Sequence, residues 1–197
     1  VYAGEAHPAT AEASDSTNVP VVTYTLNGQA VDEPINAGSY TATMTWGEKS
    51  VSVGYAIEPK PLTATAVDGA RAYNATTDWI TVLELDGVID GDEVSGWAEF
   101  TLPGADAGEY TEATVKAAPE LTGKDAGNYT LAPEDVSFSK ATITRAAADK
   151  WNVSMASPQN VLVGSGLNAL TLPTAGTGID GETVQITNVT FYTDAAM

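Results

Sequence analysis

One five-residue phrase recurs three times in this chain: Asn36-Ala37-Gly38-Ser39-Tyr40, Asp106-Ala107-Gly108-Glu109-Tyr110 and Asp125-Ala126-Gly127-Asn128-Tyr129. Each copy joins an acidic or amide residue to a small pair and ends on tyrosine. The first two run into alternating residues, the third into a shorter Thr130-Leu131. An Asp or Asn side chain can bond the backbone of its own turn, and glycine supplies positive φ without a Cβ clash. Tyrosine buries its ring while its hydroxyl takes a hydrogen-bond partner. The phrase thus constrains a fold, turn into strand, and specifies no reaction. Tyr40, Tyr110 and Tyr129 are expected to be mostly buried structural residues, with Gly38, Gly108 and Gly127 shaping their turns.

Strand signals fill the rest. Val21–Leu26 alternates and runs into Asn27-Gly28, the strongest short hairpin signal. Tyr40–Trp46 alternates and breaks at Gly47, and Val51–Ile57 alternates and breaks at Pro59. Pro59-Lys60-Pro61 holds the backbone extended and reads as a join. Beyond it, strands are expected over 62–67, 80–85, 94–102, 111–115, 128–131 and 136–144, with a second join at Arg145–Ala148. Later strands are expected at Val161–Val163, Leu170–Leu172 and Val184–Tyr192. No stretch of ten or more residues has a capped helical period. The fold class is all-β, as tandem modules over 1–59, 60–145 and 146–197, the last a partial module. A tyrosine entering a strand after such a turn resembles the tyrosine corner of immunoglobulin-like β-sandwiches. The alternative is a β-grasp layer, which would place a short helix within 73–85.

Composition narrows the function. Eight basic against 26 acidic residues leave a net charge of −18. Both nucleic acid and anionic membrane surfaces need clustered Lys and Arg, so neither is an expected partner. The acidity is spread along the chain, as on a solvated, self-repelling surface that favours a monomer. Cysteine is absent, which argues against a disulfide-stapled secreted eukaryotic domain. No apolar run is long enough to span a membrane. The abrupt start at Val1 and stop at Met197 read as a piece of something longer.

Two stretches resemble families of bacterial cell-surface repeat. Residues 1–59 are similar to the MBG-type repeat through Tyr2-Ala3-Gly4, Thr23-Tyr24-Thr25 with Asn27-Gly28, the first copy of the phrase, and Tyr55-Ala56-Ile57-Glu58-Pro59. Residues 60–145 resemble the YDG repeat through Lys60-Pro61-Leu62-Thr63, Tyr73–Asp78, Gly91-Asp92-Glu93-Val94, the third copy of the phrase, and Ala141-Thr142-Ile143. The name-giving Tyr-Asp-Gly is Tyr73-Asn74-Ala75 here, so the turn differs at both following positions. The third segment is only generically similar to bacterial immunoglobulin-like repeats. The resemblance implies tandem β-domains on an exported, surface-attached protein, and no catalysis.

Candidates for chemistry are few. Asp86, Asp90, Asp92 and Glu93 concentrate four carboxylates around two glycines, the donor type calcium takes, but their spacing is not that of an EF-hand. A solvated turn is the simpler expectation, with no metal or cofactor. A Lys–Asn isopeptide bond would draw on Lys60 or Lys140 with Asn128, yet buried lysine is rare. Trp46, Trp79, Trp97 and Trp151 could stack on sugar rings, but core packing accounts for such residues more often. His7 is the lone histidine, in an Ala-rich stretch, and no nucleophile motif or phosphate loop is present. The expected function is a non-catalytic stalk or adhesive segment of an extracellular or bacterial cell-surface protein, with a host or matrix glycan or protein as partner. A carbohydrate-binding module and an accessory part of a large secreted glycosidase are the alternatives.

Overall fold

The computed structural model describes residues 1–12, 20–147, 174–181 and 183–186. Among them the chain is all-β, with only single 3-10 turns. The helix that a β-grasp layer would place within 73–85 is absent; that stretch is a loop leading into a strand at Asp78–Asp86. By its contacts the chain forms two compact units. The first comprises Val1–Gly69, Asp78–Leu102 and Tyr110–Ala141; the second holds the described parts of Ala70–Thr77, Pro103–Glu109 and Thr142–Met197.

The first unit opens with a four-stranded antiparallel sheet. Its strands are β1 (Val21–Leu26), β2 (Gln29–Val31), β3 (Gly38–Trp46) and β4 (Lys49–Ile57), in the order β2-β1-β3-β4. Asn27 and Gly28 both take positive φ, +51° and +81°, as the two-residue turn of a right-twisted hairpin requires. Gly47, at φ +60°, opens the equally short turn that pairs Trp46 with Lys49. One face carries Tyr24, Tyr40 and Ala42, all buried. The other presents Thr23, Thr41, Thr43, Thr45, Ser50 and Ser52, where Thr43 and Ser52 share a 2.8 Å hydroxyl bond.

Residues near the N-terminus close over the apolar face. The Tyr55 hydroxyl donates to the His7 carbonyl (3.0 Å), the Ala9 N–H donates to the Tyr24 hydroxyl (3.0 Å), and the His7 N–H donates to the Pro34 carbonyl (2.7 Å). A cavity of about 130 Å³ remains between Ala9–Ala11 and the side chains of Val22, Met44, Val51 and Val53.

The chain continues through β5 (Lys60–Pro61), β6 (Thr63–Ala66), β7 (Gly69–Ala72), β8 (Asp78–Asp86) and β9 (Ser95–Thr101), of which β7 falls mostly in the second unit, as do β10 and β15 below. Then follow β10 (Gly108–Tyr110), β11 (Thr114–Val115), β12 (Glu120–Thr122), β13 (Tyr129–Thr130), β14 (Val136–Ser137) and β15 (Ala141–Thr144). A six-stranded sheet runs β11-β9-β8-β6-β14, with β12 also on β9. Period-2 alternation sets its faces: Trp79 and Leu83 of β8 point inward, as do Ala98 and Phe100 of β9, while Ile80 and Val82 stay exposed. Gly69 lets the Trp79 ring lie against the backbone, since a Cβ there would come within 2.9 Å of the ring.

Two departures from expectation follow from pairing. Pro59-Lys60-Pro61 is no free linker: β5 pairs in parallel with β13, and the Lys60 ammonium donates to the Gly87 carbonyl at 2.6 Å. The strand expected over 136–144 is divided. β14 pairs in parallel with β6, whereas β15 lies in a three-stranded sheet of order β10-β15-β7. A single straight strand cannot serve both sheets, so the chain breaks at 138–140.

The second unit contains a tight turn at Asn74-Ala75-Thr76. The Asn74 carbonyl oxygen accepts from the Thr76 N–H (3.2 Å), the Thr76 hydroxyl (3.0 Å) and the Arg71 guanidinium, which also reaches the Thr76 carbonyl at 2.6 Å. Ala75 between them sits at φ +61°. Further along, β16 (Ala175–Thr177) and β17 (Thr183–Gln185) pair antiparallel. The strands expected at Val161–Val163 and Leu170–Leu172, most of the one expected at Val184–Tyr192, and Trp151 lie outside the described residues.

A left-handed residue with a Cβ costs about 1–2 kcal/mol, and glycine loses about 0.5–1 kcal/mol through chain entropy. Ala75→Gly is therefore expected to stabilise the protein by about 0.5 kcal/mol or more. Urea unfolding followed by circular dichroism checks this; an unchanged or lower midpoint contradicts it.

Candidate functional site

A polar cluster joins the N-terminal residues to the loop after β8. Tyr2 and Tyr129 are each buried to 5% exposure and meet edge to face, ring centroids 5.5 Å apart and planes at 79°. Both hydroxyls donate to the same carboxylate oxygen, Oδ2 of Asp92: Tyr2 at 2.8 Å, Tyr129 by a shorter bond. The Tyr129 oxygen in turn accepts from the Ile89 N–H at 3.0 Å. Gly4, at φ +74°, packs where a Cβ would stand 3.3 Å from Ile89. The Tyr2 N–H donates to the Glu58 carbonyl at 2.7 Å, tying the N-terminus to the end of the four-stranded sheet.

A second tie lies beside the first. Asn128 is buried, and its carbonyl oxygen accepts from the Ala37 N–H (2.8 Å) while its amide donates to the Asn36 carbonyl oxygen (3.0 Å). Two copies of the repeated phrase thus bond each other, Asn36-Ala37 of the first to Asn128 of the third.

The supporting loops are themselves clasped. The Glu93 N–H donates to the Asp125 carboxylate at 2.8 Å, and the Asp125 N–H to the Glu93 carbonyl at 3.3 Å. Gly123 takes φ +116°, and a Cβ there would lie 2.1 Å from the Glu93 carbonyl oxygen, so only glycine fits. Lys124 pairs with Glu93 at 2.9 Å on the outside.

Electrostatics follow from this geometry. The two donated bonds, Tyr129's first and Tyr2's second, hold the Asp92 carboxyl below its ordinary 3.8. Burial, then the bond to Asp92, pushes the Tyr2 hydroxyl up to about 12 from 10.0, and the same causes raise Tyr129. The cluster is therefore built for an ionised Asp92 and two neutral phenols.

The expected site residues distribute unevenly. Tyr40 is buried, and its hydroxyl donates to the Asn36 carbonyl four residues upstream at 2.9 Å, the geometry of a tyrosine corner. Tyr129 is equally buried but turns its hydroxyl to Asp92. Tyr110 is only half-buried, at the end of the short β10, short of the burial expected for it. Of the phrase glycines, only Gly38 has positive φ, and at +158° it is nearly extended; Gly108 and Gly127 take none. In the third copy Ala126–Asn128 forms a 3-10 turn, which any residue can adopt, so no left-handed glycine is needed.

The four loop carboxylates do not converge. Asp92 serves the tyrosines, Glu93 faces Lys124, and Asp86 and Asp90 are exposed. Among the described residues no group of three or more acidic or histidine side chains is placed to hold a metal ion. Asn128 is engaged by Asn36 and Ala37, while Lys60 bonds Gly87 and Lys140 faces Asp68 at 4.0 Å, so the isopeptide geometry is not formed. Trp79 points inward and Trp97 lies on the opposite face beside Val82, while Trp46 ends β3 of the other sheet; the three build no common platform.

Among known families, the YDG domain matches residues 58–137. No curated protein and no solved structure matches the chain. This all-β chain thus carries a YDG domain whose Asp92, Asn128 and Tyr129 receive residues from the sheet and N-terminus before it.

Replacing Asn128 with Ala removes two part-buried bonds and leaves the Ala37 N–H and the Asn36 side chain short of a partner, at a cost of about 1–3 kcal/mol. Denaturant titration of Asn128→Ala measures it, and a loss within error contradicts the tie. The pKa directions also fix a pH window. Asp92 is lowered in the folded state, so its contribution is present above 3.8 and is lost as pH falls below it. Tyr2 is raised, so its contribution is full below 10.0 and is lost as pH rises toward about 12. Melting temperature against pH should fall at both ends, and Asp92→Asn should remove much of the acid limb; an unchanged acid limb sinks the assignment.

Proposed function

We propose that this segment is a non-catalytic spacer of an extracellular, bacterial cell-surface protein, holding successive β-domains in a set orientation so that a neighbouring head domain is presented away from the envelope. The observation that carries this reading is the double tie between the N-terminal sheet and the YDG domain, Tyr2 and Tyr129 on Asp92 and Asn36-Ala37 on Asn128. A flexible string needs no buried bonds at its joints, whereas a spacer that transmits reach does. The similarity of residues 1–59 to the MBG-type repeat and of the third segment to immunoglobulin-like repeats supports the surface setting, as does the YDG match at 58–137. A net charge of −18 keeps such a segment solvated and apart from neighbouring molecules. Direct contact with a host or matrix glycan or protein belongs, in this reading, to the head it presents.

The chain has no cysteine, so engineered cysteines at the exposed Gln29 and Glu84 take single dyes. One narrow energy-transfer distribution is expected for the parent, broadening in Tyr2→Ala with Asn128→Ala. A broad distribution in the parent contradicts a fixed joint and, with it, the spacer.

A further inference from the structure

We infer that the free edge of β4 is a lateral docking edge, pairing antiparallel with the same strand of a second copy of this chain. Among the described residues β4 is the outermost strand of its sheet, and all nine of its residues, Lys49–Ile57, pair with β3 in unbroken register. No described residue hydrogen-bonds the backbone of its outer edge. Such an edge presents a row of unpaired N–H and C=O groups, and proteins commonly guard it with charge, proline, a bulge or a covering segment. From Ser50 to Ile57 β4 has no charged side chain, no proline and no bulge. The N-terminal residues that close over its apolar face leave Val51 and Val53 59% and 60% exposed.

Charge identifies the occupant. In a chain with 26 acidic residues, Ser50–Ile57 carries none. The Thr and Ser face beside it is equally neutral. A cationic peptide, which the net charge would otherwise favour, finds no carboxylate along this strand. Two acidic copies, in contrast, approach with little repulsion along this eight-residue stretch free of carboxylates, which is longer than any other edge strand among the described residues. Symmetry completes the fit. A two-fold axis perpendicular to the sheet pairs residues of equal parity, so Val51 and Val53 meet apolar side chains of the copy and Ser50 and Ser52 meet small ones. The four strands of each copy become one continuous sheet, and the β4 edge of each copy is covered. This association is separate from the spacer reading: a spacer need not pair, and a pairing edge need not belong to a spacer.

Sedimentation equilibrium of the full chain tests it in about 0.01 M and about 1 M salt, where charges act over about 30 Å and about 3 Å respectively. Monomer is expected in low salt, with a concentration-dependent dimer in high salt. Val51→Lys with Val53→Lys should keep the circular dichroism spectrum and weaken the dimer about tenfold or more, consistent with edge-charge protection. Ser52→Glu, on the opposite face, should weaken it similarly. Trp97→Ala, on the exposed face of the YDG domain, should leave it unchanged. A monomer at high micromolar concentration in high salt overturns the proposal. So does a dimer indifferent to the lysines and Glu, or one lost with Trp97→Ala.

Discussion

One carboxylate oxygen organises this segment. Asp92 Oδ2 receives the hydroxyls of Tyr2, near the start of the chain, and Tyr129, far along it. A carboxylate is a strong acceptor, and its bonds to neutral donors are about twice as strong as bonds between neutral groups. The arrangement works because the phenols titrate far above neutrality and the carboxyl far below it, so the three groups hold complementary states over a wide pH range. Everything nearby supports that oxygen. Ile89 donates into Tyr129, Gly4 packs on Ile89, and the 123–125 turn is pinned against Glu93 through a glycine that no other residue can replace. Remove the carboxylate and two buried hydroxyls lose their acceptor together.

The cluster explains why an acidic loop sits at a joint in so acidic a chain. Four carboxylates in eight residues repel one another unless something separates them. Here Lys124 faces Glu93, two hydroxyls face Asp92, and Asp86 and Asp90 face water. The charge is dispersed rather than gathered, the opposite of what a divalent cation requires. Along β4 from Ser50 to Ile57 the same chain does the reverse and carries no charge. The contrast separates two kinds of surface: a joint built on polar bonds inside the segment, and a neutral strand edge at its flank.

Much of the fold was legible because its signals are local. Asn27-Gly28 forces one turn geometry, and alternation over Val21–Leu26 and Tyr40–Trp46 assigns faces without reference to anything distant. Pro59-Lys60-Pro61 reads as an extended join from its two prolines; its parallel pairing with β13 depends on carbonyls and on residues some seventy positions away. The single strand expected over 136–144 failed for a similar reason, since alternation continues through a stretch that two different sheets divide. The joint itself left almost no trace. Tyr2 and Asp92 are 90 residues apart, and although each lies in a phrase that stands out by itself, nothing in the sequence pairs one with the other.

The repeated phrase shows where such reading ends. Its three copies share Ala-Gly and a tyrosine, yet the tyrosines do three things. Tyr40 bonds the backbone of its own turn, Tyr110 is half-buried beside a three-residue strand, and Tyr129 reaches across to Asp92. A short phrase specifies the turn and the entry into a strand, because those depend on neighbours in sequence. The partner of a hydroxyl depends on neighbours in space. In the first copy the nearest acceptor is the Asn36 carbonyl. In the third, a 3-10 turn and the clasp of Asp125 on Glu93 bring the Asp92 loop nearer instead. The same Ala-Gly-x-Tyr phrase therefore closes a turn in one place and joins two sheets in another, and the difference is carried by the loop that faces it.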